Sequence, residues 1–147
     1  MKPFTFSLEK VLKLRKYYED EAKIELGKAV GLLAEIESKI VEVGKERARA
    51  ASEQFAPGNS AVLVQHYMYY LLRLDSNTEE LLKEAALAEI KVEAAREEFL
   101  RTSQERKVLD KLKEKRQKEY RKEKLADETK NLDDISSGSM SRQAVMA

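Results

Sequence analysis

The side chains best suited to chemistry are few, and their spacing does not gather them. His66 is the single histidine and the chain has no cysteine, which excludes disulfides and thiolate metal sites. No P-loop, glycine-rich phosphate turn or His-Glu-x-x-His spacing occurs, so nothing is arranged to cradle a phosphate or hold zinc. Glu79 with Glu80 and Glu97 with Glu98 are adjacent pairs. Neighbours on a helix point in different directions, so these carboxylates read as solvated faces. His66 lies among aromatics beside a turn and reads as an interfacial histidine. No catalytic, metal or cofactor site is expected, and the chain reads as a non-enzyme.

Two other features stand out. The first is Tyr67-Met-Tyr-Tyr-Leu-Leu-Arg-Leu74, which holds three of the six tyrosines in about one helical turn. A two-stranded seam uses only half of such a face, which leaves aromatics with polar tips for a protein interface. The second is a charge pattern hidden by a net charge of +1. Residues 1–16 carry +4, 17–104 carry −6, 105–124 carry +5 and 125–147 carry −2, so two basic segments flank an acidic middle.

The elements that must position these features are helices. Composition is 37% charged, 42% hydrophobic and 7% aromatic, with no tryptophan, which suits a narrow seam better than a three-dimensional core. Phe55-Ala-Pro-Gly-Asn-Ser60 is the strong breaker: Pro57 removes a donor, Gly58 allows a left-handed conformation, and Asn59 or Ser60 can cap a new helix. The chain is expected to turn at 55–60, giving an all-α fold of two long helices in an antiparallel coiled-coil hairpin.

The first helix is expected to start at Ser7, with Phe6 stapled onto Val11. Its apolar series runs Leu8, Val11, Arg15, Tyr18, Ala22, Leu26, Ala29, Leu33, Ile36, Ile40, Val43, with a stutter from Tyr18 to Leu26. The second runs Leu63, Tyr67, Tyr70, Leu74, Thr78, Leu81, Ala85, Ala88, Val92, Ala95, Phe99, Thr102, Arg106, Leu109, Lys113, Arg116, Tyr120, with a stutter near Leu74. A capping box at Ser76 and Glu79 would break it at 75–78, but the seam resumes in phase and favours continuity. Gly27, Gly31 and Gly44 lie in the first helix and read as close helix approach or tolerated positions.

With a short turn, facing residues should have numbers adding to about 115, over a paired length on the order of 70 Å. Pairing then runs out opposite Lys107 or Val108, and the second helix continues without a partner. Residues 1–135 read as one hairpin, and 136–147, rich in serine and without periodicity, as a disordered tail. In the hairpin, Lys10, Lys13, Arg15 and Lys16 approach Arg106, Lys107, Lys111 and Lys113 and form one basic extremity. An acidic protein cavity or ring fits it; nucleic acid is not expected, because Asp110, Glu114, Glu119 and Glu123 interrupt it. The start is too polar for a signal peptide and the apolar runs are too short to span a bilayer, so a soluble cytoplasmic protein is expected.

Phe4-Thr-Phe-Ser-Leu-Glu-Lys-Val-Leu-Lys-Leu-Arg15, followed by Glu19, Ala22 and Leu26, resembles the F-x-F-x-L-E-x-V-L-x-x-R start of FliJ proteins, coiled-coil components of the flagellar type III export apparatus. Glu98-Phe-Leu, Arg106-Lys-Val-Leu-Asp-Lys-Leu-Lys113, Tyr120 and Asn131-Leu-Asp-Asp-Ile135 extend the likeness over most of residues 4–135.

The resemblance implies an antiparallel hairpin similar to the central stalk of rotary ATPases, acting in flagellum biogenesis and motility. The implied partners are the hexameric export ATPase FliI, the export gate protein FlhA and export chaperones, whose recycling it aids. The basic end would enter the ATPase ring, and Tyr67, Tyr70 and Leu74 would face the gate. The implied location is cytoplasmic, peripheral at the inner face of the cell membrane through the apparatus, without direct membrane insertion. The alternative is a generic coiled-coil tether or chaperone-like interaction protein.

Overall fold

The computed structural model describes residues 2–146, with side chains through 142. Two helices account for almost all of it, α1 over Glu9–Gln54 and α2 over Ala61–Met146. No strand occurs among the described residues, and the fold is an all-α helical hairpin. Packing divides the chain into two units, one of Asp20–Arg101 and one of Met1–Glu19 with Thr102–Ala147.

The unit around the turn owes its reversal to local chemistry. Asn59 N–H donates to the Ala56 carbonyl at 3.2 Å, and Gly58 has φ 89°. Proline at the second position and a positive φ at the third make this a type II turn. The Asn59 amide donates to the carbonyls of Glu53 at 2.8 Å and Gln54 at 3.0 Å, satisfying acceptors left open at the end of α1. Ser60 Oγ accepts the Leu63 N–H at 3.2 Å, so Ser60 rather than Asn59 caps α2.

From the turn the two helices close on a thin seam. Ile36, Ala85 and Ala88 form its buried centre, with Leu33, Ile40 and Leu81 packed against them. α2 is unbroken at 75–78, where Thr78 Oγ1 donates to the Leu74 carbonyl at 3.0 Å and stays within the helix. Gly27, Gly31 and Gly44 have open space where a Cβ would stand, so close approach within the chain does not explain them.

The register differs from the simple expectation. In pairs such as Ile36 with Ala85 and Arg47 with Asp75, the facing numbers add to about 121 rather than about 115. Side chains tilt toward the N-terminus of their own helix, so in an antiparallel pair each level is covered by later residues on both arms. That tilt accounts for about two of the six.

In the second unit the seam phase also differs. Leu8, Leu12, Arg15 and Glu19 face inward, Leu12 being only 1% exposed, whereas Val11 and Tyr18 are exposed. This inward series keeps strict four-three spacing up to Ala22, so the expected stutter at Tyr18 is absent. The Leu8 carbonyl accepts the Leu12 N–H at 2.9 Å, which puts the N-cap at Leu8 rather than Ser7. Phe6 is buried as the staple requires, but Val11 is not.

Pairing in this unit also extends beyond Val108. Lys113 meets Glu9 at 2.8 Å, and the segment before α1 reaches Tyr120. Phe4 packs on the Tyr120 ring with centroids 5.6 Å apart, and the Tyr120 hydroxyl donates to the Lys2 carbonyl. The helix then runs past 135 to Met146, through the serine-rich stretch read from sequence as a disordered tail. No proline interrupts that stretch, so the backbone can keep its own hydrogen bonds although the side chains described there, through Arg142, are exposed.

Candidate interaction surfaces

The basic side chains singled out by spacing fall into two groups. Arg15, Arg106 and Lys113 are used within the fold. Arg15 donates to Glu105 at 2.7 Å, and Arg106 donates through Nε to Glu19 at 3.0 Å and through Nη1 to Asp110 at 2.6 Å. Lys113 Nζ pairs with Glu9. The Asp110 and Glu19 carboxylates hold the Arg106 guanidinium above its ordinary pKa. The Lys113 hydrogen bond holds the Glu9 carboxyl below its own, against partial desolvation and with help from the charges of Lys113, Lys13 and Lys16.

Lys10, Lys13, Lys16, Lys107 and Lys111 are instead exposed. Sequence reasoning stopped short along this face. Lys107, Lys111, Lys115, Lys118 and Lys122 follow one another at four, four, three and four residues and are all exposed, which aligns them along one side of α2. The signal was that spacing; it was passed over because glutamates alternate with the lysines in the linear sequence.

Around the turn, the tyrosines are tied into a polar network. The Tyr67 hydroxyl donates to Glu53 at 3.1 Å and the Tyr70 hydroxyl to Glu46 at 2.7 Å. Arg49 bridges the two carboxylates, reaching Glu53 through Nη1 at 2.8 Å and Glu46 through Nε at 2.9 Å. Arg49 and then Tyr70 lower the Glu46 carboxyl to about 2, overcoming desolvation. The neighbouring carboxylates push both phenols up. Arg47 meets Asp75 at 2.5 Å.

Leu74 is 6% exposed and belongs to the seam; in this conformation its side chain is not available to a partner. Tyr67 and Tyr70 are half-buried, and with Leu63 and His66 they line a shallow open groove. The exposed apolar side chains here are Phe55, Val62, Leu63, Met68, Tyr69 and Leu72. No group of three or more potential metal-ligating residues occurs among the described residues.

A family model described as Flagellar FliJ protein matches residues 4–144, nearly the whole chain. The chain belongs to the FliJ family. No curated protein and no solved structure matches it. FliJ membership gives it a flagellar, export-related role, and its helical hairpin agrees with the coiled-coil character of FliJ proteins. No helix among the described residues is long and apolar enough to cross a membrane.

Proposed function

We propose that this FliJ-family chain is a non-enzymatic stalk and adaptor of the flagellar export apparatus. It associates with the export ATPase FliI through its basic end and with the export gate FlhA through the region around its turn. In that role it aids the recycling of export chaperones and works on the cytoplasmic side, peripheral to the membrane through its partners. The observation that carries the reading is the division of labour among the basic residues. Arg15, Arg106 and Lys113 knit the helices together, leaving Lys10, Lys13, Lys16, Lys107 and Lys111 exposed to meet an acidic partner.

Leu74 is withdrawn from the gate-facing set by its burial, which leaves Tyr67 and Tyr70 as its members. The test is association with the purified ATPase and stimulation of its turnover. Changing Lys10, Lys13, Lys16, Lys107 and Lys111 to glutamate should weaken both, with helix content unchanged. Equal association and equal stimulation by the charge-reversed chain would remove the basic end from the reading.

A further inference from the structure

Residues 54–72 contain no aspartate, glutamate, lysine or arginine, in a chain that is 37% charged. The stretch covers the last residue of α1, the turn and the first three turns of α2. It is also apolar on the outside. Phe55 is 76% exposed, Val62 63%, Tyr69 59% and Leu72 58%, with Leu63 and Met68 exposed beside them.

The distribution of these side chains matters as much as their number. Tyr67, Tyr70 and Leu74 turn toward α1, whereas 62, 63, 66, 68, 69 and 72 are exposed. At 100° per residue those positions cover the outward half of the helix rather than one stripe. A single flat protein face or one partner helix would call for a stripe. Gln65 and His66 are exposed among them, so the outward half is apolar and neutral polar side chains without a carboxylate, lysine or arginine, which suits a medium that surrounds the tip.

Charge narrows the medium further. The first charged residue of α2 is Arg73, about 18 Å along the axis from Ala61. On the α1 side the charges nearest the turn are paired, Glu53 and Glu46 with Arg49, and Arg47 with Asp75. The tip therefore presents no unpaired lysine, arginine or carboxylate to a headgroup. An apolar element entering the boundary between headgroups and acyl chains goes in by about 5–10 Å; the α2 side can supply that depth, with the Glu53–Arg49 pair beside Tyr67 left at the level of the headgroups. Exposed tyrosine suits that boundary, where its ring is covered and its hydroxyl stays wet.

We propose that the uncharged tip formed by the turn and the start of α2 docks into the interfacial layer of a lipid bilayer, with Phe55 leading and without crossing it. The inference does not rest on the ATPase assignment, and it shares the region of the proposed gate contact but uses other side chains, since Tyr67 and Tyr70 are half-buried whereas Val62, Leu63, Met68, Tyr69 and Leu72 are exposed. It follows that binding is driven by apolar burial, persists at high salt, and does not need acidic lipid.

The chain has no tryptophan, so Phe55→Trp in the full-length protein supplies a single reporter at the tip. Addition of neutral phosphatidylcholine vesicles should shift its emission to the blue. The shift should persist in high salt and should not grow when phosphatidylglycerol is included. Val62→Asn with Tyr69→Ser, both at exposed positions, should lower partitioning by about tenfold or more with unchanged helical circular dichroism. Flotation of the unaltered chain with the same vesicles gives a second readout that does not depend on the reporter. Unchanged emission and no flotation at millimolar lipid would overturn the proposal. So would binding that requires phosphatidylglycerol and disappears with salt, which would assign it to the lysines. A blue shift produced only by a protein partner would overturn it in favour of an enclosed protein pocket.

Discussion

Arg106 on α2 donates to Glu19 on α1 at 3.0 Å while holding Asp110 on its own helix at 2.6 Å. Glu19 occupies a position that a coiled coil ordinarily gives to an apolar residue, and its side chain is only 17% exposed. Removing Arg106 leaves Glu19 partly desolvated without this partner. Arg106→Met should therefore cost more than the double change Arg106→Met with Glu19→Leu. Urea unfolding of the two single variants and the double variant should return a coupling of about 1 kcal/mol. Additive effects would show that the pair is idle.

Seam phase is testable at two adjacent residues. Leu12 is 1% exposed and Val11 is 39% exposed. Leu12→Ala should lower stability by about 2–3 kcal/mol, and Val11→Ala by well under half of that. A seam running through Val11 would reverse the order.

Glycines separate by conformation. Gly27, Gly31 and Gly44 have helical φ values and no neighbour where a Cβ would stand. Alanine at each should raise stability by about 0.5–1 kcal/mol. Gly58, at φ 89°, also has open space, so its alanine variant suffers only the left-handed backbone and should lose about 1 kcal/mol. Thermal unfolding of the four variants reads both signs.

Acid should loosen the network near the turn. The Glu46 carboxyl titrates at about 2 in the folded chain, below its ordinary value of 4.5, because Arg49 and Tyr70 bond its charged form. The unfolded chain therefore takes up the proton first as pH falls. The contribution of Glu46 is complete above about pH 4.5 and is lost progressively as pH drops toward 2. Glu46→Gln should flatten the pH dependence of thermal unfolding across that window. Tyr70→Phe should flatten it in part, since Arg49 remains.

The hairpin and its turn are legible because their causes are local. Pro57, Gly58, Asn59 and Ser60 carry the turn chemistry within four residues, and the three-four spacing from Ala22 to Ile40 and from Leu81 to Phe99 follows the buried face. The first three turns of α1 are less legible because a distant residue decides them. Hydrophobicity ranks Tyr18 above Glu19, but Arg106, 87 residues away, supplies the partner that draws Glu19 inward. The basic end is half legible for the same reason. Spacing finds Arg15, Arg106 and Lys113, but only the register reveals the carboxylates that already occupy them. The cluster 67–74 draws attention by its tyrosines, whereas the absence of charge over 54–72 is a property of a window and is missed when single side chains are sought.

The type II turn at Gly58 also sets the order in which the chain can fold. Gln54 meets Val64 across ten residues, Glu46 meets Tyr70 across 24, Glu19 meets Arg106 across 87, and Lys2 meets Tyr120 across 118. Closing a longer loop costs more entropy unless a shorter one has closed first. Assembly is therefore expected to zip outward from Gly58, with the chain termini last to join. During synthesis α1 is made before any of α2, so its apolar face leaves the ribosome uncovered and waits for the second arm to arrive.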